Sequence, residues 1–397
     1  MSAAHLKRLA LRRALWALLM GNFVVGTGVM VVPGTLNDLS QSLGVSITQA
    51  GLLITAGAIL MGIGAPVFAS VVAGWDRRRL LSAALVWYGM GLLACAMAAD
   101  YSILLPLRVL TMVSPAIFTP QAAASVGLMV KPEQRGQAVT FVFLGWSVAS
   151  VLGMPLSAWI GGLWGWRWAF AGVGLLALLC AAWVWRVMPN GVRPVALSRQ
   201  AWKQAVQHLP LMLTVGVTLL SAFGQFALFS YFSPYFKQVL AADANTLSLL
   251  FLWFGAFGLA GNMLISRHID RLGADHAVAL TLGLIALSLL LWPYFSSVWT
   301  AALVLVPWAL GCFAANSAQQ ARLVQLSPAL APATVALNTS AMYGGQALGS
   351  ALGGWLIAQG HLLQLHKLGF TLVLAAIAMS FWAAQGQSMG TPHSKGD

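Results

Sequence analysis

Charge is what this sequence has least of: Asp, Glu, Lys and Arg make up 7% of its 397 residues, against roughly 25% in a soluble globular domain. So few charges cannot clothe a water-facing surface, which excludes an ordinary soluble protein and leaves lipid as the surrounding solvent. Acids are the scarcest. There are eight: Asp38, Asp76, Asp100, Glu133, Asp243, Asp270, Asp275 and Asp397. None lies midway along an apolar run, so no carboxylate proton relay is expected to cross the membrane. The seven histidines also sit at run ends and in loops. Without a His, Cys or acidic cluster no metal site is expected, and a cationic or metallic substrate is disfavoured. Cys95, Cys180 and Cys312 each stand alone inside an apolar run, which excludes a disulfide framework and leaves them as small core residues. No Gly-x-x-x-x-Gly-Lys loop is present, so ATP hydrolysis by that route is excluded. No nucleophile–base–acid set or metal-hydrolase motif appears either, and neither an enzyme nor a cofactor is expected.

What fills the chain instead is apolar. Hydrophobic residues make up 59% of it, with 17 Trp and 18 Phe, residue types that collect at bilayer interfaces. Apolar runs predict twelve transmembrane helices at 14–36, 48–73, 80–99, 102–129, 137–162, 168–188, 209–234, 245–267, 276–296, 299–320, 334–358 and 368–386, each near or above the roughly 20 residues that cross the hydrocarbon core. They lack the alternation of a membrane barrel, so the fold class is all-α. The first run follows Lys7-Arg8 and Arg12-Arg13 like a signal peptide. Its length and the lack of a small-x-small site predict a retained helix.

The net charge of +13 has a simple source. With the N-terminus in the cytoplasm, seventeen of the 21 Lys and Arg fall in cytoplasmic segments, from Lys7 to Lys395, and only Arg167, Lys237 and Lys367 fall outside. That split obeys the positive-inside rule. It makes the charge an orientation device rather than a nucleic-acid surface, and places both termini in the cytoplasm.

The longest polar stretch, 189–208, follows the sixth span and divides the chain into six-helix bundles, 1–188 and 209–397. Between Val195 and His208 it is compatible with a short basic interfacial helix. The bundles look like repeats. Gly74-Trp75-Asp76-Arg77-Arg78-Arg79 follows the second span, and His268-Ile269-Asp270-Arg271-Leu272-Gly273 follows the eighth. The fifth span carries Gly145, Ala149, Gly153, Ser157 and Gly161, and the eleventh carries Ala341, Gly345, Gly349 and Gly353, each four apart. Two related halves around a central loop are a transporter layout.

Residues four apart share a helix face, so each ladder is a groove for close packing. Pro155, inside the first ladder, bends its helix. Such grooves serve either plain packing or a seam on which two bundles rock. The turns with Asp76, Arg77, Arg78, Asp270 and Arg271 serve either to anchor topology or to latch an inner gate. Arg108 is the one Lys or Arg well inside a span, about six residues or 9 Å from its outer end. It either snorkels outward or has a function that offsets the cost of a charge in lipid. The uncharged polar residues within spans, Asn22, Thr27, Gln121, Gln225, Tyr231, Tyr235, Asn316, Gln319, Gln320, Asn338, Tyr343 and Gln346, need buried partners. They are candidates either for lining a substrate path or for interhelical bonds.

At several stretches the chain resembles a known family. These are Leu107-Arg108-Val109-Leu110, Gly145 through Pro155, Gly165-Trp166-Arg167 with Phe170, Tyr231-Phe232-Ser233-Pro234-Tyr235, Gly261-Asn262 with Asp270-Arg271, and Ala336-Leu337-Asn338-Thr339-Ser340 with Gly349 and Gly353-Gly354. Together they resemble the major facilitator superfamily, and within it the bacterial drug:proton antiporter-1 branch of arabinose-efflux-like permeases and purine-nucleoside exporters. On that resemblance the inner-loop motif falls on Asp76, Arg77 and Arg78, the fourth-helix arginine on Arg108, and the antiporter motif on Gly145, Gly153, Pro155 and Gly161. The resemblance implies alternating access by rocking of two six-helix halves, proton-driven export and a bacterial inner membrane. Three positions depart from the pattern: Ala73 for an acid, Met112 for a glycine, and Gly28-Val29 where relatives place an acid after Gly26-Thr27.

The expected function is therefore secondary efflux of a small neutral or amphipathic solute: a sugar, nucleoside, amino-acid derivative or drug. The bilayer and that solute are its partners, protons the implied coupling ion, nucleic acid is not a partner, and a monomer is expected. An importer or facilitator of a small anionic or neutral solute is the alternative within the same fold. A non-transporting sensor or scaffold is the alternative outside it.

Overall fold

The computed structural model describes residues 3–72, 74–131, 135–193, 199–327 and 330–388. Helices account for nearly all of these residues, and no strand occurs among them. The first half comprises α1 (Ala3–Leu43), α2 (Ile47–Val71), α3 (Arg77–Ala96), α4 (Tyr101–Thr111), α5 (Val113–Met129), α6 (Arg135–Trp164) and α7 (Trp166–Val187). The short α8 (Arg199–Gln207) follows, within the stretch expected to hold an interfacial helix. The second half comprises α9 (Leu209–Phe229), α10 (Phe232–Leu240), α11 (Ala244–Leu272), α12 (Ala274–Leu291), α13 (Val298–Leu326), α14 (Ala331–Ala358) and α15 (Leu365–Ser388). Because α4 with α5 and α9 with α10 each make one span, the twelve expected spans are all present as helix.

Eleven of them are long and apolar enough to cross a membrane. The exception is α14, whose 28 residues suffice in length but include Asn338, Tyr343, Gln346, Ser350 and a run of glycines. Its polar face is hidden against other helices: Asn338 and Ser350 are fully buried. The two broken spans have a local cause. Proline offers no amide to the carbonyl four residues earlier. Pro115 fails Thr111, where α4 gives way to α5. Pro234 fails Ser230, and Tyr231 takes a non-helical φ of −117° and ψ of 18° between α9 and α10.

The scarce acids are spent at helix starts. Asp76, Asp100 and Asp243 accept from the amides of Arg79, Ile103 and Thr246 and so cap α3, α4 and α11. A negative cap satisfies an orphan N–H and complements the helix dipole.

The halves repeat one packing plan. In the first, α1 packs on α6 and α7, and α3 on α7; in the second, α9 packs on α14 and α15, and α12 on α15. The glycine ladders lie in these contacts. A Cβ built at Gly145 would sit 2.1 Å from the Leu19 carbonyl oxygen, and at Gly153 3.0 Å from Thr27 Cα. At Gly345, Gly349 and Gly353 it would sit 2.4, 2.5 and 2.3 Å from the carbonyls of Leu219, Phe223 and Ala227. The ladders thus bind the fifth span to the first and the eleventh to the seventh, inside each half. The halves meet along two other seams that mirror each other, α2 on α14 and α6 on α11.

Candidate functional site

The α2–α14 seam is built from small and hydroxyl residues. Thr48 donates to the Gly354 carbonyl at 2.7 Å, and Thr55 shares a hydrogen bond of 2.8 Å with Ser350. The Tyr231 hydroxyl donates to the Ser350 carbonyl at 2.6 Å and rests on Gly51 of the other half, where a Cβ would come within 2.3 Å of it. In the α6–α11 seam Ser248 donates to the Pro155 carbonyl at 3.0 Å, and Gly162 and Gly255 admit Ala244 and Val151. Between α1 and α10, Asn37 donates to Ser233 at 3.0 Å and Lys237 pairs with Asp38 at 3.5 Å. These cross-half bonds lie toward one end of the bundle, the end opposite Arg77–Arg79. The halves are therefore closed against each other at that far face.

Within each half the buried amides form a knot that joins three helices. Asn22 donates to the Val142 carbonyl at 3.2 Å and accepts from Thr119 at 2.9 Å, and Thr119 accepts from Trp146 at 3.1 Å. This links α1, α5 and α6. In the second half Thr218 donates to Asn338 at 2.5 Å, Asn338 donates to Asn316 at 3.3 Å, and Gln319 donates to Thr218 at 3.3 Å. This links α9, α13 and α14, the equivalent helices. Nearby, Trp308 donates to Gln225 at 3.1 Å. Asn22, Gln225, Asn316 and Asn338 thus have partners, as a buried amide must. Gln121 and Tyr343 are buried and Gln320 half-buried. Tyr235 belongs to an aromatic cluster with Trp292 and Phe295, with centroids 5.5 and 6.0 Å away. Thr27 is buried against Gly153 with its hydroxyl unpartnered. Thr119, Trp146, Thr218 and Trp308 escaped the sequence reading, since a lone hydroxyl or indole in an apolar run carries no signal of its own.

Arg108 does not snorkel. It is 2% exposed, donates to the Gly28 carbonyl at 2.9 Å, and lies over the Phe170 ring at 5.7 Å. Beside it the Tyr88 hydroxyl donates to the Val25 carbonyl at 3.0 Å. Two polar side chains from α3 and α4 thereby hold one turn of α1, and Arg108 has no ion-pair partner among the described residues.

The first arginine-rich turn grips the linker. Asp76 accepts from the Gly191 amide at 2.6 Å, the Arg77 amide donates to Val192, and Arg78 donates to Asn190 at 3.1 Å. Arg77 is itself buried and donates to the Val72 carbonyl at 2.8 Å. The turn is thus tied to the chain leaving α7. In the second turn Arg271 is exposed, and the side chain of Asp270 lies outside the described residues, as does Ala73. Arg322, counted above as a topology charge, is instead buried. It pairs with Asp275 at 2.5 Å and donates to the Ser380 hydroxyl at 3.0 Å, joining α12, α13 and α15.

Partial burial pushes the Asp76 carboxyl up, but the amides of Gly191, Arg79 and Arg78 and the Arg79 charge outweigh it, and the group sits below its ordinary 3.8. A depressed carboxyl stabilises the fold above its unfolded value and loses that contribution as pH falls through the folded one. The clamp is therefore intact at pH 7 and released as pH falls through that lowered value. Asp76→Ala should release it at neutral pH. Tryptic cleavage of the linker after Arg199 is then several-fold faster than in the parent, and an unchanged rate would show that the linker does not depend on this carboxylate.

Comparison with known proteins places this geometry. The model of the Major Facilitator Superfamily matches residues 18–321 and again 214–392. The inner membrane transport protein YdhP of Escherichia coli K12 is 28% identical over 352 residues, covering 87% of this chain and 89% of that protein. A probable sugar efflux transporter of Pasteurella multocida is 25% identical over 335 residues, covering 84% and 83%. Among solved structures, a D-xylose–proton symporter superposes with a TM-score of 0.73 at 18% identity, over 92% of this chain and 96% of that one. At that identity the likeness speaks for the fold alone.

Proposed function

Since the chain belongs to the major facilitator superfamily and is a multi-pass membrane transporter, we propose that it exports a small neutral or amphipathic solute by alternating access, with sugars the first class to test. The observation that carries this is the asymmetry of the cross-half bonds. Two bundles with mirrored seams are held shut at one face by Asp38–Lys237, Asn37–Ser233, Thr48–Gly354 and Thr55–Ser350. Breaking these few bonds is the step that opens the far side. The halves are 1–188 and 209–397, with 189–208 as the linker and the Asp76 turn as its clamp. The arginine-rich face and both termini lie in the cytoplasm of a bacterium, following the positive-inside rule. The solute path runs between the halves past the half-buried Gln225, Asn316 and Gln320, with Asn22, Thr27, Gln121, Asn338 and Tyr343 buried behind it and Tyr231 and Tyr235 at its far end, and the protein works as a monomer. Sugars come first because a relative is named for sugar efflux and amides bond hydroxyls well. Proton antiport is the proposed drive. The burial of Arg108 against Gly28 and Phe170 speaks against its drawing in an anionic solute, which weakens the importer reading.

The test uses inside-out vesicles with an acidic interior and a pH-sensitive dye. Sugars, then nucleosides, amino acids and amphipathic drugs, are added in turn. One class should collapse the gradient with the intact protein and not with empty vesicles. If labelled solute crosses while the gradient stands, the antiport proposal fails. If no class crosses at all, the proposed solute classes fail with it.

A further inference from the structure

One groove of the protein does not lie between its halves. It lies on the lipid-facing side of the first half, between α3 and α7, with a volume of about 700 Å³. Its walls are Ala83, Val86, Trp87, Met90 and Leu178, and its basic end carries Arg79 and Arg186 beside Trp185. Val86, Trp87 and Met90 are 45%, 51% and 57% exposed, so the groove opens to the bilayer. From Arg79 to Met90 it runs 11 residues, about 16 Å along the helix, which is one leaflet's depth. Inside it sits Ser82, which is 5% exposed and has a hydroxyl without any hydrogen-bond partner. A buried hydroxyl left unpaired is costly.

The charges at this end do not cancel. Asp76 is the acid of this turn, and it is occupied by the Gly191 and Arg79 amides. Arg77 and Arg78 are turned to Val72 and to Asn190 with Trp185. Arg79 and Arg186 form no ion pair among the described residues. Two guanidiniums without an ion-pair partner among the described residues, above an apolar slot of leaflet depth, fit an anionic lipid, with its phosphate at the arginines and one acyl chain in the slot. Basic pockets between helices on the cytoplasmic side bind anionic headgroups for this reason.

We propose that the α3–α7 groove is a specific seat for one anionic phospholipid of the leaflet at the arginine-rich face. The phosphate lies between Arg79 and Arg186, a headgroup or glycerol oxygen meets Ser82, and one chain packs on Val86, Met90 and Leu178. The seat adjoins the Asp76–Gly191 clamp, so an occupied groove braces the linker. Only the naming of the leaflet rests on the proposed orientation; the site does not depend on which solute is carried.

The test places purified full-length protein in vesicles holding either phosphatidylglycerol or phosphatidylcholine, each doped with a diazirine-tailed version of the same lipid. After irradiation, phosphatidylglycerol should label the peptides around Ala83–Met90 and Leu178–Arg186 several-fold more than the rest of the lipid-facing surface, and phosphatidylcholine should not. Arg79→Gln with Arg186→Gln should abolish the enrichment. The intact protein keeps the test decisive should that variant fold poorly: even labelling along all lipid-facing helices, or equal labelling by both lipids, overturns the proposal. So does an enrichment that survives removal of both arginines.

Discussion

Gly345→Ala is expected to lower the thermal stability of the purified protein by several degrees, and Gly345→Leu to prevent the second half from assembling, with transport lost. The added Cβ would lie 2.4 Å from the Leu219 carbonyl oxygen, 2.7 Å from Ala222 Cβ and 2.9 Å from the Phe223 amide nitrogen. Two of those atoms are backbone, so relief requires α9 and α14 to part. They cannot part at one point, because Gly349 and Gly353 hold the same two helices over Phe223 and Ala227. Overpacking of this kind costs on the order of 1–3 kcal/mol, and a membrane protein has no hydrophobic gain from helix association to offset it. The neighbouring glycine is the control. A Cβ at Gly344 meets only the Leu219 side chain at 3.4 Å, an ordinary contact, so Gly344→Ala should melt like the parent. Equal melting of the Gly345 and Gly344 variants would mean that the ladder is not what joins these helices.

That ladder also shows what a sequence can and cannot say. The four-residue spacing marks α6 and α14 as helices with a flat face, because spacing determines which side chains share a face. It does not say what lies against that face. Of the two readings that the spacing allows, plain packing and a seam between rocking halves, the contacts follow the first: the ladders pack within each half. The cross-half seams rest on Gly51, Thr55 and Gly255; the first two are also four apart, but a single pair does not stand out as a run of four or five does. Span positions were legible because crossing a bilayer demands a continuous apolar run. The span breaks were less so: Pro234 was visible, but its effect on Tyr231 depends on where the helix restarts. Arg322 adds to the charge bias of the sequence, but its burial depends on Asp275 and Ser380, which come from other helices and have no fixed spacing from it. The amide knots were half legible, as Asn22 and Asn338 stand out in apolar runs while Thr119 and Thr218, which complete them, do not.

Arg108→Ala should cut transport by tenfold or more while leaving an inserted, folded protein. Here the sequence pointed to one residue, and the structure supplies what it does. The guanidinium bonds the Gly28 carbonyl at 2.9 Å and covers Phe170 at 5.7 Å, and it stays buried without an acid, a costly arrangement in lipid. Its partners belong to α1 and α7, so it couples α4 to the helix that crosses to the other half at Asn37 and Asp38. A hydrogen bond from a charged group contributes about 1.5–3 kcal/mol. If that bond holds α1 in step with α4 while the halves rock, its loss is worth roughly a tenfold to hundredfold fall in rate. Arg108→Lys should recover little, because an ammonium cannot offer the flat guanidinium that bonds a carbonyl and stacks on a ring together. Phe170→Leu, which removes only the stacking, should be milder than either. The measurement is initial solute flux per inserted protein, with thermal melting run beside it. Full flux from well-inserted Arg108→Ala would make this arginine a packing residue, and α1 would have to follow the rocking halves through Tyr88 and the ladder alone.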